Sequence, residues 1–374
     1  MKSKIFTLLC VLMTFFSLSY SQDQCAPVGW CTQNGGTTGG GSASPVTVNN
    51  ISNLTTQANG SGSRVIYVSG TMGSNTRVRV AANTTIIGLP GAKLVGGFDV
   101  RGNNVIIRNM IVQGPGAVDV DGVDCINIDG SSTTNVWIDH CDIYDGQDGN
   151  LDITNGASFI TITWTKLHYT SASSNHQFCN LIGNSDSKTS DRGRLKVTMM
   201  YNWWTTGTVE RMPRVRFGQV HVVNNLFDSP QADYCVRAGI EADILVESNY
   251  FDAVNEPINL FENDFTAITA RNNVFNNTTG NTAGSGTSFT PPYSLGIAAA
   301  ANVKALVSNA TCGAGATLPS PTQCGCGTST QYTLTTSANP SAGGTITRNP
   351  NATTYAPGTV VTLTATPASG YTFT

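Results

Sequence analysis

The strongest constraint on the fold is a repeat of about 24 residues in the second half of the chain. Phrases of two polar residues, one large apolar residue and one phenylalanine occur at 224–227, 248–251 and 272–275. The same register extends upstream to anchor positions 109, 141, 165, 202, 225, 249 and 273, with spacings of 32, 24, 37, 23, 24 and 24 residues. Units this short leave no room for a long helix, so they predict a solenoid whose coils pack only on their neighbours.

Each repeat carries short β-rich segments, such as 159–162 and 220–223, together with asparagine-containing turns. Such repeats predict an all-β fold, a right-handed parallel β-helix. Asparagine at the same turn of successive coils tolerates the left-handed conformation and can form a ladder of hydrogen bonds. Trp204 falls in the column of Phe227, which predicts a core position. The two longer spacings predict inserted loops, which often form the binding face of a solenoid.

The composition of the chain agrees with this fold class. Only 11% of the 374 residues are charged and 39 are glycine, while Asn, Thr and Ser, which suit turns and strands, are abundant. These values disfavour a helical, coiled-coil or disordered chain. A formal net charge of −3 argues against a general nucleic-acid binder. Outside the N-terminus no apolar run is long enough for a membrane span.

Four segments are predicted along the chain. The N-terminal segment has a basic start, a short apolar run and small residues before a cleavage site after Ser21, as in a secretory signal peptide. The segments are 1–21, signal peptide; 22–310, β-helix catalytic domain; 311–328, linker; and 329–374, a partial β-rich repeat module. We therefore expect a secreted protein, placed in the medium, the periplasm or at the cell surface.

Two further expectations concern the C-terminal half. The apolar stretch 294–309 predicts a helix that closes the end of the stack. The last module stops in mid-strand at Thr374, so the natural chain is expected to continue.

Nine cysteines remain after signal cleavage, which leaves at least one unpaired thiol and does not define the pairing. These cysteines are Cys25, Cys31, Cys125, Cys141, Cys179, Cys235, Cys312, Cys324 and Cys326.

Charge is segregated along the chain, and the acidic segment comes first. No Lys or Arg lies between Arg108 and Lys166, a stretch that contains many aspartates. Asp124 and Asp148 each lie 17 residues before an anchor, which predicts positions one strand spacing, roughly 4.8 Å, apart on successive coils. Carboxylates that close repel unless one is protonated or a cation lies between them. With Asp152, they predict a Ca²⁺ site of hard oxygen ligands. The alternative is a set of solvated turn aspartates.

A basic segment follows, from Lys188 to Arg216. Arg211 lies 14 residues before its anchor and Asp152 lies 13 before its own, which predicts nearly one column, two coils or roughly 10 Å apart. Arginines at 211, 214 and 216 surround a proline, a pattern suited to binding carboxylates of an acidic sugar chain. The alternative is a solvated arginine-rich face.

Five motifs in this order resemble those of the pectate lyases, family 1 of the polysaccharide lyases, over roughly residues 25–310. The motifs are Gly-Gly-Thr-Thr-Gly-Gly at 35–40, Val-Trp-Ile-Asp-His-Cys at 136–141, Asp-Gly-Asn-Leu-Asp-Ile at 148–153, Leu-Ile-Gly-Asn-Ser-Asp at 181–186, and Arg-Met-Pro-Arg-Val-Arg-Phe-Gly-Gln-Val-His at 211–221.

The resemblance implies a Ca²⁺-dependent β-elimination on polygalacturonate that yields 4,5-unsaturated oligogalacturonides. It implies that the calcium ligands are Asp124, Asp148 and Asp152. Arg211 is then the base that removes the C5 proton. The substrate-binding residues are then Arg216 and, with a weaker match, Arg214. An arginine base predicts an alkaline pH optimum, because an ordinary arginine side chain titrates above pH 12.

One segment departs from the family pattern. The family usually has a His-x-Lys segment whose lysine helps to bind substrate, whereas this chain reads His-Tyr-Thr at 168–170. Lys166 and Lys188 are nearby candidates for that role, and an insertion containing His176 follows. His140 is predicted to be structural. Trp203 could stack on sugars.

Two alternative functions stay open at this point. A pectin lyase would cleave methyl-esterified chains without calcium, but retention of three aspartates disfavours it. A non-catalytic β-helix could instead bind pectin as an adhesin. The expected partner is polygalacturonate or pectin, with no nucleic acid and no membrane span, and we expect a monomer.

Overall fold

The computed structural model describes residues 4–9, 26–118, 122–323, 333–352, 355 and 361–373. The chain divides into two compact units. The large unit runs from Gln22 to Cys326, and the small unit combines 1–21 with 327–374. Asp119 and Asp121 of the acidic segment, and Cys25, Cys324 and Cys326, lie outside the described residues.

The described residues contain thirty strands and two α-helices. The strands are β1 (Lys4–Leu9), β2 (Pro45–Val48), β3 (Arg64–Val68), β4 (Thr71–Val80), β5 (Thr84–Gly88), β6 (Lys93–Val100), β7 (Val105–Arg108), β8 (Ile111–Gln113), β9 (Ile126–Asp129), β10 (Thr134–Asp139), β11 (Asp142–Tyr144), β12 (Leu151–Thr154), β13 (Ser158–Thr163), β14 (Lys166–His168), β15 (Leu181–Ile182), β16 (Lys196–Met200), β17 (Trp203–Trp204), β18 (Arg214–Val215), β19 (Gln219–Val223), β20 (Leu226–Phe227), β21 (Val236–Ala238), β22 (Asp243–Glu247), β23 (Tyr250–Asp252), β24 (Ile258–Leu260), β25 (Ala267–Arg271), β26 (Val274–Asn276), β27 (Ser337–Asn339), β28 (Gly344–Asn349), β29 (Thr362–Pro367) and β30 (Tyr371–Phe373). The helices are α1 (Ile51–Ala58) and α2 (Ala300–Val307).

The strands of the large unit form three parallel faces around one apolar core. Face 1 is the ten-stranded sheet β2-β3-β5-β7-β10-β13-β16-β19-β22-β25. The long strand β6 joins face 2 (β9, β12, β15, β18, β21 and β24) to face 3 (β8, β11, β14, β17, β20, β23 and β26), with β4 paired alongside. Each strand pairs with its equivalent in the next coil, so the predicted parallel β-helix is confirmed.

The anchor asparagines form a buried ladder of side-chain hydrogen bonds through four coils. Asn202 Nδ2 donates to Asn225 Oδ1 (3.1 Å), Asn225 Nδ2 to Asn249 Oδ1 (3.0 Å), and Asn249 Nδ2 to Asn273 Oδ1 (3.0 Å). The ladder continues upstream, where the backbone N–H of Thr165 donates to Asn202 Oδ1 (3.1 Å). Each rung satisfies buried polar groups, which would otherwise cost stability. The predicted ladder is therefore present.

Aromatic rings stack in the next column of the same coils. Ring centroids of Trp204 and Phe227 lie 4.7 Å apart, those of Phe227 and Phe251 4.3 Å, and those of Phe251 and Phe275 5.1 Å. Trp204 is fully buried, as its column predicts.

The left-handed turns do not fall on the anchors themselves, apart from Asn109. Positive φ values occur at the residue before the anchor, including His140 (46°), Trp164 (48°), Tyr201 (57°) and Asn224 (51°). The expectation that the anchor asparagines adopt this conformation is therefore wrong for these coils. The anchor supplies the side-chain ladder, and its predecessor supplies the backbone turn.

The two helices also differ from expectation. Helix α2 lies within the predicted segment, but Val303 and Val307 pack in a cluster with Met200, Val223 and Leu226, along the side of successive coils. The prediction that this helix closes the end of the stack is therefore wrong. Helix α1 was not predicted; Asn50 caps it by accepting a hydrogen bond from the N–H of Asn53 (2.9 Å). Both described helices have eight residues, and neither has the length of a membrane-spanning segment.

The small unit contains a three-stranded sheet in the order β27-β1-β30 and an antiparallel hairpin of β28 and β29. In the hairpin, Gly344 pairs with Pro367 and Asn349 with Thr362.

The described cysteines of the large unit fall into two groups. Cys312 is disulfide-bonded. Five others are unpaired and buried, namely Cys31, Cys125, Cys141, Cys179 and Cys235. The expectation of at least one unpaired thiol is confirmed.

Candidate functional site

The acidic and basic segments of the sequence meet on face 2. On β12, Leu151 and Ile153 point into the core, so Asp152 between them points outward. The register aligns Asn127 with Asp152 on successive coils and, further along the face, Leu181 with Arg214. The backbone N–H of Leu181 donates to Asp152 Oδ1 (2.9 Å). The Cα atoms of Asp152 and Arg214 are thus two strand spacings apart, about 10 Å.

Two aspartate side chains converge above Gly149. A Cβ atom placed on Gly149 would lie 2.8 Å from Asp152 Oδ1 and 3.0 Å from Asp124 Oδ1. Asp152 is only 5% exposed, and Asp124 Oδ1 is a buried atom that accepts no hydrogen bond from the described residues. A glycine at this position leaves the space between the two carboxyl groups open.

The two converging carboxyl groups are held in an environment that disfavours negative charge. Burial raises the pKa of Asp152 to about 7, against the opposing effects of the Leu181 N–H and Arg211. Burial, followed by repulsion from Asp152 and Asp148, raises the pKa of Asp124 well above its usual range. A cation between the two carboxylates would relieve both effects.

Asp148 lies at the solvent side of this group, with 41% of its side chain exposed. Nε2 of His176 lies 3.1 Å from Asp148 Oδ1. Arg77 Nη1 donates a hydrogen bond to the backbone oxygen of Asp124. The sequence did not predict the contact of His176 with Asp148 or the contact of Arg77 with Asp124. The insertion that follows His168 was the available signal for His176.

Arg211 lies on the coil that follows the coil of Asn180, next to the three aspartates. Its backbone has a φ of 61°, in the left-handed region, and its backbone oxygen accepts a hydrogen bond from the N–H of Asn180 (2.7 Å). Its guanidinium carbon lies 4.6 Å from the centroid of the Phe178 ring. Among the described residues it has no ion-pair partner, and its Nε is buried without a hydrogen-bond acceptor.

Arg216 is 8% exposed and is fixed by two contacts. Nε donates to Asp186 Oδ1, and Nη1 donates to the backbone oxygen of Gly183 (2.8 Å). Arg214 stacks on Phe261 at 5.2 Å, and burial followed by repulsion from Arg216 lowers its pKa. The two arginines therefore present positive charge along the face beyond Arg211.

Buried polar atoms that lack a hydrogen-bond partner concentrate around these residues. Native proteins leave few such atoms, and those that remain often mark a functional site. In the part of the chain that the structure describes, those on this face include Asp124 Oδ1, Asn127 Oδ1, Arg211 Nε and Arg214 Nε.

The described residues contain no group of three or more His, Cys, Asp or Glu side chains close enough to enclose a metal ion alone. The oxygen donors above Gly149 nevertheless fit a hard divalent cation. Asp124 Oδ1 is buried and accepts no hydrogen bond from the described residues, and Asp152 Oδ1 approaches the same point. Calcium commonly completes its coordination with water.

Other candidates from the sequence lie elsewhere. Lys166 and Trp203 lie on face 3, where the Lys166 ammonium packs over the Trp203 ring at 5.1 Å. They are not part of the face 2 group. His140 is fully buried beside face 1, with Nδ1 2.8 Å from Asp139 Oδ2, in agreement with a structural role. Lys188 lies at the start of a short 3₁₀ turn.

Comparison with known families gives two matches. The family model described as pectate lyase matches residues 1–314. A second, described as divergent InlB B-repeat domain, matches residues 332–374.

Similar proteins include several pectate lyases. Pectate lyase plyB of Emericella nidulans is 39% identical over 254 residues, which cover 65% of this chain and 74% of that protein. Pectate lyase A of Aspergillus niger is 36% identical over 294 residues, covering 75% and 86%. The crystal structure of a pectate lyase from Bacillus sp. N165 in complex with trigalacturonate has a TM-score of 0.66 at 25% identity, covering 78% of this chain and 98% of that one. The chain belongs to the pectate lyase family of polysaccharide lyases.

Proposed function

We propose that the protein is a secreted, calcium-dependent pectate lyase that cleaves α-1,4-linked polygalacturonate by β-elimination. The observation that carries the proposal is the pair of buried carboxyl groups above Gly149, next to an arginine whose Nε finds no hydrogen-bond acceptor among the described residues. The names of the relatives, and the trigalacturonate bound by the Bacillus sp. N165 enzyme, support the substrate class.

Asp124, Asp148 and Asp152 would hold the Ca²⁺ ion. Their oxygens are hard donors, and burial, which raises the pKa values of Asp124 and Asp152, makes a bound cation favourable there. The exposed position of Asp148 leaves the site open to a substrate carboxylate. When bound, the ion supplies positive charge that stabilises the negative charge developing on the sugar carboxylate during proton abstraction.

Arg211 would act as the base. Its neutral guanidine form takes the C5 proton of a galacturonate residue and becomes guanidinium, the electron pair of the C5–H bond forms the C4–C5 double bond, and the C4–O bond breaks. The departing chain leaves with that oxygen and gains a proton from solvent. The absence of a carboxylate partner for Arg211 in the described residues supports this role, because an ion pair would favour the protonated form.

Arg216 and Arg214 would bind the carboxylates of the sugar chain. Arg216 has Nε and Nη1 committed to Asp186 and Gly183, so it offers Nη2 in a fixed orientation. A donor that is oriented before binding loses less entropy when the substrate arrives.

The proposal is tested by ultraviolet absorbance of the purified protein with polygalacturonate at alkaline pH, first with Ca²⁺ and then with excess chelator. We expect absorbance of the unsaturated product to grow and the chelator to stop it. Arg211→Ala should remove at least 99% of the rate, by the order of magnitude expected for a proton-transfer group. Arg192→Ala, on an exposed loop, serves as the matched control and should keep its activity. A fully active Arg211→Ala variant, or a rate that chelation leaves unchanged, contradicts the proposal.

Secretion is the second part of the proposal. It rests on the basic start and short apolar run of residues 1–21. Expression of the full chain in its source cells, followed by N-terminal sequencing of the mature protein, should give Gln22 as the first residue. An uncleaved, intracellular product contradicts this part alone.

A further inference from the structure

The proposed base has an aromatic neighbour with no assigned role. The guanidinium carbon of Arg211 lies 4.6 Å from the ring centroid of Phe178, within the range of a cation–π interaction. Both side chains are partly exposed. Among the described residues no carboxylate pairs with Arg211, and its Nε has no acceptor. The ring is therefore the contact that orients the guanidinium group.

Phe178 is itself held in place by backbone contacts. Its N–H donates to the backbone oxygen of His176 (2.9 Å), and its backbone oxygen accepts from the Tyr169 hydroxyl (2.7 Å). Tyr169 is only 2% exposed, so this donor is itself buried. Two residues on, the N–H of Asn180 donates to the backbone oxygen of Arg211 (2.7 Å). The ring and the arginine thus belong to adjacent coils that are directly hydrogen-bonded.

We propose that Phe178 is a positioning residue, whose ring holds the Arg211 guanidinium in the plane required for proton abstraction. This inference rests on the proposed role of Arg211 as base. An aromatic face suits the task, because it fixes a planar group through stacking and leaves every nitrogen available to substrate. A carboxylate would orient the group equally well, but it would occupy the nitrogens with hydrogen bonds.

The sequence position of Phe178 explains why the repeat register does not reveal it. It lies between anchors 165 and 202, in the coil with the longest spacing. The same insertion carries His176, which contacts Asp148. A single short segment therefore reaches one proposed calcium ligand with one side chain and the proposed base with another.

The test uses variants of the full-length protein that change the ring but preserve apolar volume. Phe178→Leu should lower kcat by about 10- to 100-fold, the order expected when a reacting group is displaced by up to 1 Å. KM for polygalacturonate and Ca²⁺ affinity, measured by titration calorimetry, should stay within about twofold, because the ring binds neither. Phe178→Tyr retains the ring and should keep most of kcat. Phe178→Met provides a second ring-free variant if the leucine variant does not fold.

A double-mutant cycle separates action through Arg211 from a general packing effect. In an Arg211→Lys background the planar stacking is already lost, so Phe178→Leu should change the residual kcat by less than about twofold. Phe289→Leu, a partly exposed aromatic that stacks on Trp30 (5.9 Å), is the matched control and should leave kcat unchanged.

Four outcomes would overturn the inference or its basis. An unchanged kcat in both ring-free variants shows that Phe178 does not position the base. A rise in KM alone shows instead that the ring binds sugar. Additive effects in the cycle show that the ring acts independently of Arg211. If Arg211→Ala itself keeps full activity, the proposed function fails, whatever the Phe178 variants do.

Discussion

Asp124 and Asp152 direct their Oδ1 atoms to a single point above Gly149. Because both oxygens lie within 3.0 Å of that point, they are no more than about 6 Å apart. The two residues come from adjacent coils, and the parallel register of β9 and β12 brings them together. Because the two carboxylates are buried and close together, they repel each other when both are ionised, and a cation between them would relieve that repulsion.

Gly149→Ala should therefore impair calcium binding without unfolding the protein. The new methyl group would occupy the space between the two oxygens and force them apart, so we expect Ca²⁺ affinity to fall at least about tenfold, or 1.4 kcal/mol. Titration calorimetry measures this directly. Gly60→Ala is a suitable control, since its Cβ would meet no atom closer than 3.3 Å. Wild-type affinity in Gly149→Ala would contradict the placement of the ion between Asp124 and Asp152.

Calcium-free protein should lose stability as the pH rises from about 4 to about 7. The folded-state pKa values of Asp124 and Asp152 are raised by burial, so between those limits the folded protein binds more protons than the unfolded chain. The free energy of unfolding must then decrease with pH. Chemical denaturation in chelator at several pH values measures the slope.

Asp152→Asn provides the corresponding variant. It removes a buried titrating group and should flatten the pH dependence, making the calcium-free protein more stable near pH 7 on the order of 1 kcal/mol. The same variant should lose its stabilisation by added Ca²⁺. Asp233→Asn, at an exposed position, should leave the slope unchanged. A metal-free stability that rises across this pH range would contradict the assignment of raised pKa values.

Arg216→Lys should raise KM for polygalacturonate by about tenfold or more. Lysine retains the charge but cannot contact Asp186, Gly183 and a sugar carboxylate from one planar group. Steady-state kinetics measures the change. Arg192→Lys replaces an exposed arginine that pairs with Glu241 and should leave KM unchanged. An unaltered KM in Arg216→Lys would remove Arg216 from substrate binding.

Asn225→Ala should destabilise the β-helix by about 3 kcal/mol. Asn225 is fully buried, accepts from the N–H of Asn202 (2.8 Å) and donates to Met199 O (2.8 Å) and Asn249 Oδ1 (3.0 Å). Its loss leaves several buried groups unpaired. Asn273→Ala, at the partly exposed end of the ladder, should cost about 1 kcal/mol. Equilibrium denaturation compares the two, and equal effects would contradict a ladder whose interior rungs matter most.

The architecture was predictable because a solenoid converts sequence spacing into stacking. Counting residues to their anchors predicted that the three aspartates and Arg211 share one side of the molecule, but it put Arg211 in the column of Asp152, where the register places Arg214. The register also located the asparagine ladder and the core position of Trp204. It could not tell which residue of a turn takes the left-handed conformation, since bulky residues such as Trp164 and Tyr201 adopt it under tertiary constraint.

The remaining parts of the site escaped prediction for a physical reason. His176 and Phe178 lie in an insertion, where counting from anchors no longer defines a position on the coil. Arg77 comes from β4, which precedes the first recognisable repeat. Short helices such as α1 are stabilised mainly by packing against the rest of the fold, and the sequence pattern carries little information about that packing.

The distance between the Cα atoms of Asp152 and Arg214 is set by the backbone. The coil of Leu181 lies between the coils of Asp152 and Arg214. The spacing of the two residues is therefore set by the hydrogen bonds between parallel strands. No substitution of side chains can lengthen or shorten it. Only the gain or loss of a complete coil would do so, in steps of about 4.8 Å. The span between the acidic and basic groups therefore changes only by whole coils, whereas the loops around it can change in length without altering it.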